Sequence, residues 1–507
     1  MIKIYSFKKL LLPAIIIIEF IFAGSCKKIT DLSSENNDVE ANQTKWEFDT
    51  PWPFDQPAVS SLRDSEKKVF AHYFTQFPIS IDNKPPDLDY YSREYLNLNG
   101  ESNKHESYGG YLRCRPLPRS PLPGNNWLEL DMQEEVRRAV SLGLDGFTCD
   151  LLSHQGYHFE RVKMLLDAAA EIDPEFKIVL MPDMEAFKDK TDKIAGAIKT
   201  LGSYPAAYRL NDGRLVVAPY NAQNQNAEWW KNWLMQMKSV GTDIAFFPTF
   251  QEWKKHAEAF AGISYGMSDW GWRSVSTQSS WVDVPMEAKS YGPLWMMPVC
   301  PQDMRPREQR YWEAENSSQY RLMWENAIIG SADWVQLITW NDYAEHTVIA
   351  PSSGSQYAFY DLTAYYVTWF KTGIEPVVTR DVLYYFYRNH STLVLPKKQA
   401  KPMKVDHGSD KPSNQIEVLA FLPSPGILEI EINGIRKRTD AQAGINSFKI
   451  PIIAGQPIFR LIRNHETEIT LPGAFPIVNE IDYQNLMYYG GSNSRLPEKK
   501  LKLLQNE

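Results

Sequence analysis

The chain has 507 residues, room for about two or three domains that each bury a proper core. Hydrophobic residues make up 43% and charged residues 23%, the ordinary balance of a globular protein. The net charge of −8, with no basic run interleaved with aromatics, argues against a nucleic-acid partner, because binding phosphates demands a basic face.

The N-terminus reads as an address. Lys3, Lys8 and Lys9 precede an apolar run, Leu10 to Phe22, and Ala23-Gly24-Ser25-Cys26 follows. This resembles a bacterial lipoprotein signal, with residues 1–25 removed and Cys26 lipidated. The protein is then expected in the cell envelope, anchored by lipid to the outer membrane and facing the periplasm or the cell surface. Ala23 stands where Leu is usual and Glu19 interrupts the apolar run. A plain secretory peptide or a membrane anchor therefore remains an alternative, although the run is short and charged for a spanning helix. Residues 26–65 are polar and read as a tether that becomes ordered only near Trp46 or Trp52. Cys114, Cys149 and Cys300 remain, too few and too sparse for a disulfide framework, and buried free thiols are expected.

From Lys67 apolar runs alternate with helical stretches. The strand candidates are Val69–Phe74, Gly146–Leu151, Lys177–Met181, Leu215–Pro219, Ile244–Pro248, Ile263–Met267, Leu294–Val299 and Trp334–Thr339. Between them lie helical candidates such as Met132–Leu142, where Met132, Val136, Ala139 and Val140 share one face. Apolar strands separated by helices imply a parallel sheet covered on both sides, and eight such units fit an α/β architecture, the (β/α)8 TIM barrel, over residues 66–374.

A barrel of this kind gathers its chemistry at the C-terminal strand ends. In order those ends carry His72-Tyr73, Asp150, Asp183 with Glu185, Tyr220-Asn221, Gln251-Glu252, Asp269-Trp270, Gln302-Asp303 and Trp340-Asn-Asp-Tyr-Ala-Glu345. Aromatic residues are 13% of the chain, with 16 Trp and 26 Tyr. Their rings stack on the C–H faces of sugars, so a polysaccharide or oligosaccharide substrate is favoured, although large cores also use aromatics. His72, Tyr73, Asp150, Asp269, Trp270, Trp340, Asn341 and Tyr343 are the candidate substrate-binding residues. Residues 77–126 form a long first loop able to wall the cleft. Asp150, His154 and His158 could suggest a metal set, but Gly156 breaks the helical spacing, and no metal or cofactor is expected.

Beyond Thr372 short runs at Leu383–Tyr387, Gln415–Phe421, Ile427–Ile432, Ser447–Ile452 and Pro457–Arg463, separated by glycine turns, predict a C-terminal antiparallel β-sandwich over residues 375–483. It carries no catalytic constellation and reads as a structural accessory. Residues 484–507 are expected to be a loosely held tail. A monomer is expected.

The eighth strand supplies the chemistry. Glycoside hydrolysis needs one carboxylic acid to protonate the leaving oxygen and one carboxylate to activate water or attack. Asp342 and Glu345 lie three residues apart, close in a tight turn and separated in an extended loop, so the spacing leaves inversion and retention both open. Which of the two is the acid also stays open.

Thr339-Trp-Asn-Asp-Tyr-Ala-Glu-His346, followed by Ile349-Ala350-Pro351, resembles the Trp-Asn-Asp-Tyr-Gly-Glu-Ser signature of glycoside hydrolase family 71, the α-1,3-glucanases or mutanases. Val69-Phe-Ala-His-Tyr73, Gly143-Leu-Asp-Gly-Phe147, Asp183-Met184 and Met297-Pro-Val299 agree with it in order, so the likeness spans roughly residues 67–375. The resemblance implies inverting endo-hydrolysis of α-1,3-glucan, with Asp342 and Glu345 as the essential carboxylates and Asp183 as a further participant. Ala344 replaces the signature's Gly and His346 its Ser. A Cβ at 344 disfavours positive φ, which puts the pose of Glu345 in question. An endo-acting α-mannosidase and a non-catalytic glycan-binding lipoprotein are the competing readings.

Overall fold

In the computed structural model, which describes residues 48–497, every strand-like run of the first part becomes a parallel strand. They are β1 (Lys68–Tyr73), β2 (Gly146–Leu151), β3 (Lys177–Pro182), β4 (Leu215–Val217), β5 (Ile244–Phe246), β6 (Thr249–Phe250), β7 (Gly266–Asp269) and β8 (Leu294–Val299). A hairpin, β9 (Asp303–Arg305) and β10 (Arg310–Trp312), precedes β11 (Trp334–Leu337). Cys26, the signal segment and most of the polar tether lie outside the described residues. The part of the tether that is described includes a short helix, Val59–Arg63, and Trp52 packs against Tyr360.

The sheet has the order β5-β4-β3-β2-β1-β11-β8-β7-β6 and closes on itself. Its two ends, β5 and β6, are halves of one strand. Pro248 lacks an N–H and interrupts the ladder between them, while Phe247 N–H to Val217 O (2.8 Å) and Thr249 N–H to Pro219 O (2.9 Å) carry it across the gap. The sixth strand starts later than its apolar run suggests. Gly266 sits where a Cβ would lie 2.2 Å from the Phe247 ring, so a glycine is required at that point of the barrel interior.

Phe70, Val179, Met181, Val216, Ala218, Ala245, Phe247, Met296 and Trp334 fill the interior, a packed core rather than a pore. The outer face packs on amphipathic helices, such as Trp127–Ser141, which buries Met132, Val136 and Ala139. Among the described residues no helix is long and apolar enough to cross a membrane.

The C-terminal region is a sandwich of two four-stranded antiparallel sheets. One holds β12 (Val382–Tyr387), β14 (Gln415–Leu422), β17 (Gly444–Pro451) and β20 (Tyr489–Ser492); the other holds β15 (Gly426–Ile432), β16 (Ile435–Ala441), β18 (Ile458–Arg463) and β19 (Glu466–Pro472). β16 and β19 lack an apolar signature because most of their residues face solvent. β13 (Lys404–Val405) leaves the sandwich and pairs with β10.

Residues 485–497 are not a loose tail, and residues 498–507 lie outside the described residues. Leu486, Met487, Tyr488 and Tyr489 are buried, β20 pairs with β12, and Arg495 bonds Asp361 at 3.1 Å. Its apolar run is only four residues long between polar flanks, which hid it. The barrel and sandwich belong to one compact unit beginning at Pro51.

Candidate active site

Side chains alternate along a strand, so the interior positions can be followed upward two at a time. Phe70 leads to His72, Thr148 to Asp150, Met181 to Asp183, Ala218 to Tyr220 and Ser268 to Trp270. The apolar barrel core is thus capped at its C-terminal end by a polar and aromatic layer. His72 Nδ1 lies 3.2 Å from Thr148 Oγ1, and its ring meets Trp270 edge to face at 5.1 Å. Trp270 in turn meets Tyr220 at 4.7 Å. Burial pushes His72 down to about 3, so the ring is neutral.

The same alternation removes several expected binding residues from the cleft. Tyr73 points outward and donates to Glu135 of the helix behind β1. Trp340 is fully buried on the same side against Phe147, and Tyr343 is buried against Phe77. Asn341 spends its amide on the first loop, accepting from Phe74 N–H (2.8 Å) and donating to Phe74 O (2.9 Å) and Phe77 O (3.1 Å). Asp269 also faces outward, where it accepts the N–H groups of Trp253 and Gly271, both at 2.7 Å. These five side chains hold the frame of the site.

The eighth-strand turn presents both remaining carboxyls. Asp342 Oδ1 accepts the backbone N–H groups of Ala344 (2.8 Å) and Glu345 (3.0 Å), and Asp342 N–H donates to Thr339 Oγ1 (2.7 Å). Ala344 does not adopt positive φ; the left-handed residue is His346, at φ 57°. The concern over a Cβ at 344 is thereby resolved. His346 Nδ1 lies 2.7 Å from Met304 O, and its Nε2 accepts Arg113 N–H at 3.0 Å. That pair of partners fixes a neutral ring with its proton on Nδ1, and burial pushes His346 down to about 3.

Burial raises Asp342 to about 6, against lowering by the Glu345 N–H and by Arg305. Burial also raises Glu345, to about 8, with Arg305 opposing and Asp342 adding to the rise. Glu345 Oε1 lies 2.8 Å from Arg305 Nη1, while Oε2 is buried with no hydrogen-bond partner. Oε2 is therefore the oxygen of Glu345 that the protein leaves without a partner.

Two further carboxyls come from neighbouring strands. Burial pushes Asp150 well above its ordinary value, and the charges of Asp183 and Asp342 push it further. Its Oδ2 is buried without a partner. Asp183 is half-buried and raised by that burial, even though its Oδ1 accepts the N–H groups of Glu185 (2.8 Å) and Ala186 (3.3 Å). Asp150, Asp183, Asp342 and Glu345 therefore share one environment that favours their protonated forms. His158 is turned to Thr75 instead, 3.3 Å from its Oγ1, and among the described residues no group of three or more His, Cys, Asp or Glu could hold a metal.

Sequence reasoning missed the cations of the site. Arg305 and Arg273 both bond Asp303, the acid at the end of the seventh unit. Only that Asp303 gave a signal, because nothing in a short hairpin's composition shows where a long guanidinium will reach.

The chain is similar to several known proteins. The model of the glycosyl hydrolase family 71 matches residues 124–500. A glucan endo-1,3-alpha-glucosidase of Schizosaccharomyces pombe is 23% identical over 397 residues, covering 73% of this chain and 91% of the relative. A mutanase of Penicillium rubens is 24% identical over 387 residues, covering 71% of this chain and 84% of the relative. Among solved structures, the GH99 endo-alpha-mannosidase of Bacteroides thetaiotaomicron aligns with TM-score 0.45 at 17% identity, over 60% of this chain and 97% of that one. Since the family match runs from the helix before β2 through the sandwich, well over half of the sequence, the chain belongs to glycosyl hydrolase family 71.

Proposed function

We propose that this glycoside hydrolase cleaves α-1,3-glucosidic bonds within an α-glucan, with inversion at the anomeric carbon. The observation that carries the reading is the eighth-strand turn, where Asp342 and Glu345 stand together but differ in environment. The Schizosaccharomyces pombe relative, whose name describes glucan endo-1,3-alpha-glucosidase activity, supports the linkage.

Glu345 acts as the general acid. Its unpartnered Oε2 carries the proton to the glycosidic oxygen, and its raised value keeps that proton in place at neutral pH. Asp342 acts as the base. Its Oδ1 is engaged by the turn, so Oδ2 takes the proton of the water that attacks from the opposite face. Inversion needs room for that water, with carboxyls about 6.5–9.5 Å apart. Asp342 accepts the backbone N–H of Glu345 while the Glu345 side chain pairs with Arg305 on β9, so the two carboxyls are held by different partners. Asp183 and Asp150 face the sugar from the third and second strands, and His72, Tyr220 and Trp270 form the floor beneath it.

The protein acts as an envelope lipoprotein anchored at Cys26, a reading supported by the basic, apolar and small-residue order of its first residues. The decisive experiment incubates α-1,3-glucan with the wild type and with Glu345→Gln and follows the first-formed anomer by NMR. Inverted product from the wild type and its loss in the variant are expected; retained configuration or undiminished release by the variant would overturn the assignment. Membrane fractionation of Cys26→Ala, expected to move the protein into the soluble fraction, tests the anchor.

A further inference from the structure

Arg305 plays no part in the acid and base roles above, yet among the described residues it is the one cation paired with either carboxyl of the turn. Its guanidinium is divided. Nε lies 2.8 Å from Asp303 Oδ1, Nη2 lies 2.8 Å from Asp303 Oδ2, and Nη1 lies 2.8 Å from Glu345 Oε1. Asp303 is gripped a second time by Arg273 Nε at 3.1 Å, and the Trp312 ring centre lies 5.1 Å from the Arg305 guanidinium. Arg305 is therefore held in place without help from Glu345.

The hairpin that carries it is buttressed from the sandwich side. Lys404 N–H reaches Gln309 O and Asp406 N–H reaches Tyr311 O, both at 2.9 Å, as β13 joins β10. Leu486 N–H lies 3.1 Å from Met304 Sδ, and Gln302 exchanges bonds with both backbone groups of Tyr488. The accessory sandwich thus braces the strand that aims Arg305 at the acid.

The charges near Glu345 are Arg305, Arg273, Asp303 and Asp342, with Tyr220 also facing it and Glu308 on the far side of Arg305 at 3.7 Å. His346, the next residue, is neutral. The two arginines balance Asp303 and one further carboxylate, not two. Before reaction that carboxylate is Asp342. In the reaction the Glu345 O–H breaks as the leaving oxygen gains the proton, the glycosidic C–O bond breaks, the water oxygen bonds the anomeric carbon, and the water proton passes to Asp342. Negative charge has then moved from Asp342 to Glu345.

Resting on the acid assignment above, we infer that Arg305 is a positioning residue for catalysis: it holds Glu345 by Oε1, leaves Oε2 to carry the proton, and stabilises the carboxylate that forms as the proton departs. Preorganised charge aimed where charge develops is the usual source of such an effect.

The test compares full-length wild type, Arg305→Met, Arg305→Lys and Glu345→Gln on two substrates: an α-1,3-gluco-oligosaccharide, and an aryl α-1,3-oligoglucoside whose phenolate leaves without protonation. Arg305→Met is expected to lower kcat on the oligosaccharide about 100-fold with KM within about 2-fold. The loss on the aryl substrate should be much smaller, as for Glu345→Gln. The basic limb of the kcat/KM profile should move up by about one pH unit, because a proton leaves Glu345 less readily without the cation. Arg305→Lys should fall between. Both readouts are internal to each preparation, so a partly misfolded sample cannot imitate them. Equal losses on the two substrates with an unmoved basic limb would reduce Arg305 to a structural role. If Glu345→Gln shows the leaving-group dependence and Arg305→Met does not, the acid assignment stands and this inference alone falls; if neither shows it, both fall.

Discussion

Asp342 Oδ1 accepts the backbone N–H of Glu345 at 3.0 Å, so the first carboxyl of the pair fixes the chain at the root of the second. On the proposed reading one residue has two duties, and substitutions can separate them. Asn at 342 keeps an oxygen for the Ala344 and Glu345 N–H groups but cannot act as a base. Asp342→Asn should lose at least about 100-fold in kcat with a nearly unchanged melting temperature. Asp342→Ala should lose activity as well and also about 1–2 kcal/mol of stability, since two N–H groups lose their acceptor. Denaturant titration beside steady-state kinetics reads both; an Asn variant as active as wild type would remove Asp342 from the chemistry.

With the proposed roles of base and acid, the pH profile follows from the directions of the two shifts. Asp342, raised to about 6, must be ionised to accept a proton, so activity falls as pH drops through that value. Glu345, raised to about 8, must be protonated, so activity falls as pH climbs through that value. A bell in kcat/KM between these limbs is expected. Stability moves in one direction only. A carboxyl raised in the folded state binds protons there that the unfolded chain has already released, so its contribution is full below the ordinary carboxylate range and is lost as pH rises through the folded value. Glu345→Gln should therefore gain melting temperature relative to wild type between about pH 5 and pH 8.5, measured by calorimetry in matched buffers. A difference that shrinks over that interval would contradict the raised value.

The barrel and the eighth-strand turn were legible for different reasons. All eight barrel strands were visible because their apolar runs are buried on both faces, and burial leaves a mark in composition. The turn was visible because Asp342 and Glu345 sit among aromatic and amide groups that a plain loop does not gather. The direction of each side chain was harder to read. Tyr73, Asp269, Trp340, Asn341 and Tyr343 occupy the right strand ends but face the helices or the loops, and only the register of the closed barrel decides between inside and outside. Arg305 was invisible because its role depends on a hairpin whose place is set by partners far along the chain, at Lys404 and Leu486.

Asp269 offers a direct check on that distinction. Both of its oxygens accept backbone N–H groups, one from Trp253 and one from Gly271, and burial raises it to about 6. Asp269→Ala leaves two donors without their partner and should cost about 2–3 kcal/mol. Enzyme that remains folded at low temperature should keep kcat within a few-fold of wild type. A large fall in kcat without loss of stability would return Asp269 to the substrate.

His346 carries the last prediction. Its ring donates from Nδ1 to Met304 O and accepts Arg113 N–H at Nε2, tying the catalytic turn to β9 on one side and to the long first loop on the other. Both partners are buried backbone groups that water does not reach, so His346→Ala should cost about 2–4 kcal/mol, more than the loss of one ordinary hydrogen bond. Its backbone is left-handed at φ 57°, so His346→Gly keeps the turn accessible while removing the same two bonds. The glycine variant should be the more stable of the two, by under about 1 kcal/mol. Because Met304 neighbours Arg305, both variants should also lower kcat more than they raise KM. Chemical denaturation ranks the stabilities, and kinetics on the same preparations decide whether the tie serves the acid: unchanged kcat in a destabilised His346→Gly would make it a purely structural fastening.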